Sequence, residues 1–241
     1  MEHTNETMTG RAFGAMHRIG TLIDCAASEP IYTKYQPAGF WYRVVDGAVR
    51  EITPLANGRR DIVDFLLPGD VFGVASGENY EYSAEAVVPS KLERFPRSES
   101  ERLAHSDAIV AYGMDRLGNA SRERIRARTA LLAHASAPAK VGGFLLQMLA
   151  RTSRDSDEPI ELPMSRSDIA DHLNLSMETV CRALATLRTQ KLIALEGTRR
   201  VRLTDPLRLA KLARIDSALV PPSRNDRVRN VCLALATQPG R

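Results

Sequence analysis

The sequence predicts an α+β chain: an N-terminal cupin-like β-roll, a long helix and a C-terminal winged helix-turn-helix. Three observations predict it. Between Ile31 and Arg97, short apolar runs alternate with turn residues. Between about Asp107 and Ala135, a proline-free stretch carries an apolar stripe. From Ser165 onward, two short amphipathic helices flank a tight turn and precede an Arg-rich hairpin.

The chain has 241 residues, 44% of them hydrophobic, which suffices for one large or two ordinary domains with a real core. It contains no apolar run long enough to span a membrane. Its first twenty residues lack the basic-then-apolar order of a signal peptide, so a soluble, cytoplasmic protein is expected. Cys25, Cys181 and Cys232 are far apart and show no CxxC spacing. Metal and iron–sulfur sites need several converging ligands. No metal, cofactor or disulfide framework is therefore expected. The net charge is +4, unevenly placed. Residues 137–241 hold 17 Lys and Arg against 11 Asp and Glu; residues 1–136 hold 16 against 18. A basic C-terminal part suggests a polyanionic partner there.

Residues 1–30 are expected to form an arm leading into a short helix. Residues 31–97 contain FWYRVVDGAVREITPL, DIVDFLLPGDVFGV and YEYSAEAVVPSKLERF, punctuated by Asp46–Gly47, Asn57–Gly58 and Pro68–Gly69–Asp70. Asn-Gly and Asp-Gly between β-prone runs signal hairpins, and strands at this spacing predict a small antiparallel roll. Residues 98–136 turn helical. There Val110, Met114, Leu117, Ser121, Ile125 and Leu132 form a stripe at spacings of three, four and seven. Such a seam packs on the roll, pairs with a second copy of itself, or does both; a homodimer through Val110, Met114, Leu117 and Ile125 is expected. Pro138 is expected to break the chain before a helix over Val141–Arg151. Residues 137–219 form the basic domain, and 220–241 are expected to be a flexible tail.

Within the basic domain, Ser165–Leu173 starts with Ser-x-x-Asp and places Ile169, Ala170 and Leu173 on one side. Asn174–Leu175 can turn, because Asn tolerates the left-handed region. Ser176 is then an N-cap. On the second helix, Val180, Ala183, Leu184 and Leu187 face the core at spacings of three and four. Glu178, Cys181, Arg182 and Ala185 lie opposite. The segment LIALEGTRRVRLTD reads as two strands, a basic wing. Arg182 can donate two hydrogen bonds to guanine, and Glu178 can accept from cytosine and orient Arg182. The bland alternative is a surface Glu–Arg pair worth ~0.3–0.5 kcal/mol. Ser165, Arg166, Ser176 and Thr179 flank the turn and suit phosphate contacts; Arg199, Arg200 and Arg202 add charge on the wing.

Taken together, Pro37–Gly39, WYRVVDGAVR, FLLPGDVFG, the long helix and Ser-x-Glu-Thr-Val-Cys-Arg at 176–182 resemble the CRP/FNR family of bacterial transcription regulators. The resemblance runs from about Ile31 to about Leu219. It implies a cyclic-nucleotide-binding-like roll, a dimerisation helix, and a dimer that reads palindromic double-stranded DNA through Glu178 and Arg182 and contacts RNA polymerase. The cyclic-AMP members carry Gly-Glu-Leu and Arg-Ser at positions that read Gly73–Val74–Ala75 and Tyr82–Ser83 here, so a cyclic nucleotide is not expected. Oxygen-sensing members need an N-terminal cysteine cluster, which Cys25 alone cannot supply. Haem-sensing members need an axial ligand in the roll, and no His lies between His17 and His105. The pattern left is that of the FixK-like subgroup, whose members activate genes for microaerobic respiration and nitrogen fixation. Met177, where the cyclic-AMP type has Arg, favours a TTG…CAA palindrome.

Most members of the family carry Ser or Gly at the position of Cys181. A thiol near a helix N-terminus and beside an Arg is in the setting where thiols are most readily oxidised. Oxidation to sulfinic or sulfonic acid there would place a negative group beside DNA. Without oxidation, the thiol contacts a thymine methyl or does nothing. Three function classes stand at this point: an effector-independent DNA-binding activator, a regulator gated by an unidentified ligand in the roll, and, remotely, a cupin-type enzyme. The last needs clustered His ligands on the roll, which the sequence lacks.

Overall fold

The computed structural model describes residues 14, 16–56, 58–75, 77–133, 136–152 and 158–214. Residues 1–13 and 15 of the expected arm, the expected tail and Cys232 lie outside the described residues. The chain divides into two compact units. The first holds residues 1–59 and 63–122; the second holds 60–62 and 123–241.

The first unit carries β1 (Thr21–Cys25), β2 (Pro30–Tyr32), β3 (Phe40–Asp46), β4 (Val49–Pro54), most of β5 (Arg60–Leu66), β6 (Val71–Phe72), β7 (Ser83–Ala86) and β8 (Ser90–Pro96). They form two four-stranded sheets, ordered β1-β8-β3-β6 and β2-β7-β4-β5. Strand β1 lies in the stretch expected to be an arm. It is an edge strand with mostly exposed residues, so it lacks the apolar alternation that marks a strand in sequence. The β3–β4 turn requires glycine: Gly47 has φ +84°, and a Cβ there would stand 2.4 Å from Ser90 Oγ. Ser90 Oγ in turn accepts from the Ala48 amide at 3.0 Å and donates to the Val88 carbonyl at 2.7 Å. Val44, Val49, Leu66, Phe72 and Leu92 form the core between the sheets.

Helices α1 (Arg97–Ser106) and α2 (Ala108–Leu132) follow. The first half of α2 closes a second cluster of Met16, Trp41, Val71, Phe95 and Val110, against which Met114 and Leu117 pack. This corrects the expected dimer seam. Val110 is already 1% exposed within its own chain, so it has no surface left for a partner copy. Met114 and Leu117 spend part of theirs on this cluster. Ile125 lies on the part of α2 that belongs to the second unit and is half-buried.

The second unit contains α3 (Ala137–Thr152), β9 (Ile160–Glu161), α4 (Arg166–Leu173), α5 (Met177–Thr189), β10 (Ile193–Glu196), β11 (Arg200–Leu203) and α6 (Pro206–Ala213). Pro138 sits in the first turn of α3 rather than before the helix, because first-turn amides need no partner inside the helix. The three strands pair antiparallel in the order β10-β11-β9. The core is built from Phe144, Leu145, Leu149, Ile169, Leu173, Val180, Leu187, Val201 and Leu209, each no more than 1% exposed.

One polar network is buried among these apolar residues. His172 on α4 donates from Nδ1 to the Ile62 carbonyl at 2.9 Å, and its ring stands edge-on to Phe144. Burial, helped by the nearby Arg128 charge, pushes His172 down to about 3, so it stays neutral. Arg128 donates to the His172 carbonyl at 2.9 Å and pairs with Asp61.

Two stability results are expected. A Cβ at Gly142 on α3 would stand 2.7 Å from Leu209 Cδ1. Gly142→Ala gains about 1 kcal/mol of helix propensity but overpacks a buried leucine at a cost of roughly 1–3 kcal/mol. The melting temperature should fall; an unchanged or higher value would refute the close packing. For His172 the folded value is depressed below its usual 6.5, so an unfolded chain takes up the proton first. Its contribution is full above about pH 6.5 and declines as pH falls toward 3. By pH 4 that loss is about 3 kcal/mol. His172→Gln, which does not titrate, should therefore lose less stability than wild type between pH 7 and pH 4 in denaturant melts.

Candidate nucleic-acid interface

The interface is built on α4, the turn after it, α5 and the β10–β11 hairpin. Ser165 caps α4 in a reciprocal box: its Oγ accepts from the Asp168 amide at 3.1 Å, and Asp168 Oδ2 accepts from the Ser165 amide at 2.9 Å. The helix ends at Asn174 in the left-handed region (φ 55°, ψ 48°), as its short amide side chain permits. Ser176 caps α5 by accepting from the Thr179 amide at 3.1 Å. Each such cap contributes about 1 kcal/mol.

Helix α5 has two distinct faces. Val180, Ala183, Leu184 and Leu187 are buried. Met177, Glu178, Cys181, Arg182 and Ala185 are exposed along the other side, with Met177 at 53%. The structure thus brings Glu178, Cys181 and Arg182 onto one outward row. It does not join Glu178 to Arg182: no ion pair forms between them, and Arg182 Nη2 instead donates to Thr179 Oγ1 at 3.4 Å. The expectation that Glu178 orients Arg182 is corrected, because the hydroxyl one turn back lies within its reach.

The flanking residues divide by task. The side chains of Ser165 and Ser176 serve as caps, so any phosphate contact from them shares an oxygen already engaged. Thr179 Oγ1 lies 2.8 Å from Ser176 Oγ. Arg166 is half-buried and donates to the Thr198 carbonyl at 2.8 Å, tying the start of α4 to the tip of the wing. Burial lowers its guanidinium below the usual value, and the neighbouring Cys181 opposes that shift. On the wing, Glu196 takes Arg202 at 2.8 Å and Arg200 at 3.9 Å. That carboxylate offsets part of the charge expected there, while Arg199 is exposed at the tip.

The roll contains a second place to examine. Tyr32, Tyr42, Phe72 and Tyr80 are stacked inside it, with Tyr32 and Tyr80 centroids 3.8 Å apart. Tyr32 donates to Glu51 at 2.8 Å and Tyr80 to the Phe40 carbonyl at 2.7 Å. Burial raises all three phenols, which keeps them protonated. Gly73, at φ +72°, lies directly on the rings: a Cβ there would meet Tyr42, Tyr32 and Tyr80 at 3.2–3.4 Å. A cavity of about 80 Å³ lies beside it, lined by Phe40, Trp41, Gly73 and Met114 among others. Among the described residues, no group of three or more His, Cys, Asp or Glu converges to hold a metal ion. No described helix is long and apolar enough to cross a membrane.

Sequence reasoning missed Arg60, Asp61 and Arg128, which reach α4 in the second unit. No local pattern marks them, since their partners lie 44 to 111 residues away.

Known proteins place this geometry. Residues 139–212 match the Crp-like helix-turn-helix domain, and residues 22–107 match the cyclic nucleotide-binding domain. The nitrogen fixation regulation protein FixK of Azorhizobium caulinodans is 40% identical over 197 residues, spanning 80% of this chain and 79% of that one. Its namesake from Rhizobium meliloti is 34% identical over 172 residues, spanning 71% and 77%. The solved structure of FixK2 from Bradyrhizobium japonicum has 36% identity, covers 80% of this chain and 97% of that one, and superposes with a TM-score of 0.76. With a roll, a long helix and a helix-turn-helix in this order, the chain belongs to the CRP/FNR family of transcription regulators and groups with its FixK-like members.

Proposed function

We propose that this protein is a dimeric, sequence-specific activator that reads a TTG…CAA palindrome and acts without a small-molecule effector. The observation that carries this reading is the outward row of Glu178, Cys181 and Arg182 on a capped, core-docked helix beside a basic wing. Arg182 pairs with guanine and Glu178 with cytosine. Thr179, Arg166, Arg199 and Arg200, with the hydroxyls of Ser165 and Ser176, serve the phosphates. The exposed parts of Met114, Leu117 and Ile125 on α2 face the second copy. The dimer recruits RNA polymerase in the cytoplasm and performs no catalysis. Its relatives named for nitrogen fixation regulation support a role in the same process.

Effector independence rests on the filled roll. Small-molecule sites enclose about 300–1,000 Å³, and the cavity beside Gly73 has about 80 Å³. Stacked tyrosines occupy the interior that a ligand would need. A regulator gated by a ligand in the roll therefore fits less well.

Cys181 gives the same face a redox control. Peroxide oxidises its exposed thiol to the sulfenic acid, the peroxide being reduced to water, and further equivalents yield sulfinate and sulfonate. The resulting negative group repels phosphate and draws Arg166 and Arg182 away from DNA.

The decisive measurement is a band shift with purified full-length protein, a TTG…CAA duplex and no added ligand. Wild type should bind, and Arg182→Ala should lose roughly 5–150-fold, the worth of one bidentate base contact. Binding that appears only on addition of a metabolite would overturn effector independence. Peroxide should weaken wild type strongly and Cys181→Ser little. Equal loss in both, or none in wild type, would remove Cys181 as the switch.

A further inference from the structure

We propose that Arg60 is a positioning residue for DNA binding: its guanidinium holds the first helix of the helix-turn-helix and thereby aims the recognition helix, without touching DNA. The proposal rests on the DNA-reading role of α5 argued above. Arg60 grips two carboxylates on α4. Its Nη2 donates to Asp168 Oδ1 at 2.6 Å and its Nε to Asp171 Oδ2 at 3.1 Å. The Asp168 side chain is only 5% exposed, and its other oxygen accepts from the Ser165 amide and hydroxyl at 2.9 and 2.7 Å. One carboxylate therefore both caps α4 and receives Arg60. A carboxylate this deep is costly without a cation, and Arg60 supplies it.

The next two residues complete the hold. Asp61 pairs with Arg128, which donates to the His172 carbonyl, and the Ile62 carbonyl accepts from the His172 ring. Arg60 thus fixes the first turns of α4, while Asp61, Ile62 and Arg128 fix the last. Only Asn174, Leu175 and Ser176 separate α4 from α5, and the amides of Asn174 and Leu175 both donate to the Ala170 carbonyl. A tilt of α4 is therefore passed to Glu178 and Arg182. Base-reading side chains must be held within about 0.5 Å to work, so a contact that fixes α4 can govern affinity beyond its effect on stability. The hydrogen bonds of Arg60 described above go to Asp168 and Asp171 on α4, not to the base-reading row of α5. Its loss should lower affinity for every sequence by the same factor.

The test measures fluorescence anisotropy of full-length protein with two labelled duplexes, the TTG…CAA palindrome and one with the guanine of each half-site replaced. Arg60→Gln should weaken binding to both on the order of ten-fold, leaving their ratio unchanged. Arg60→Lys, which keeps a charge but not the fork, should recover most of the loss. If Arg60→Gln melts below the assay temperature, Asp171→Asn removes the Nε arm alone and spares the cap; it should show a smaller uniform loss. Three results overturn the proposal while wild type binds: a folded Arg60→Gln or Asp171→Asn that binds like wild type, a lysine variant no better than glutamine, or a change confined to the ratio. Wild type that binds neither duplex overturns the reading of α5 itself, and this proposal with it.

Discussion

The docking of α5 through Val180, Ala183, Leu184 and Leu187 is the contact on which the interface depends. Fully burying a Val or Leu side chain contributes about 1.5–3 kcal/mol, so these side chains together set the rotation of the helix about its axis. A helix turns 100° per residue; once one stripe is buried, the residues opposite it have no choice of direction. Glu178, Cys181 and Arg182 face outward because their neighbours three and four along face inward. The caps at Ser176 and Asn174 then set where the helix begins, and so which of its residues occupy the first turns. Recognition helices of this kind meet base edges with their N-terminal residues.

Around that helix, the polar groups are arranged to hold rather than simply to attract. Arg166 spends one donor on the Thr198 carbonyl, which fixes the wing tip to α4. Glu196 takes up part of the charge of Arg200 and Arg202, leaving a wing that is basic but ordered. Deeper in the second unit, Arg60 pairs with Asp168, and the Arg128 side chain and the Ile62 carbonyl hold His172. Such a network is strong only when complete, because an unpaired member would bear the full cost of desolvation. The neutral state of His172 belongs to this balance: as a donor to Ile62 it needs one ring proton and no charge.

In the roll the same fold is used differently. Two sheets enclose a core in which three tyrosines stack among Val44, Val49, Leu66, Phe72 and Leu92. Each phenol presents an aromatic face to the stack, and those of Tyr32 and Tyr80 donate to Glu51 and the Phe40 carbonyl. Gly73 lets the loop lie flat on these rings, where any side chain would press on all three.

The sequence by itself determined whatever depends on neighbours along the chain. The caps at Ser165 and Ser176, the turn at Asn174, the two faces of α5, the wing and the hairpin at Asp46–Gly47 are set by spacings of two to four residues. They were legible for that reason, and so was the family resemblance they build. The edge strand β1 was not legible, since an exposed strand has no alternation to read. Only the tertiary structure decided that Val110 is spent within its own chain and that tyrosines from β2, β3 and the loop before β7 meet face to face. It alone brought Arg60 to Asp168, 108 residues away. The physical reason is common to all three. Which groups compete for one hydrogen bond or one buried volume depends on distances that chain folding creates, and local spacing carries no record of them.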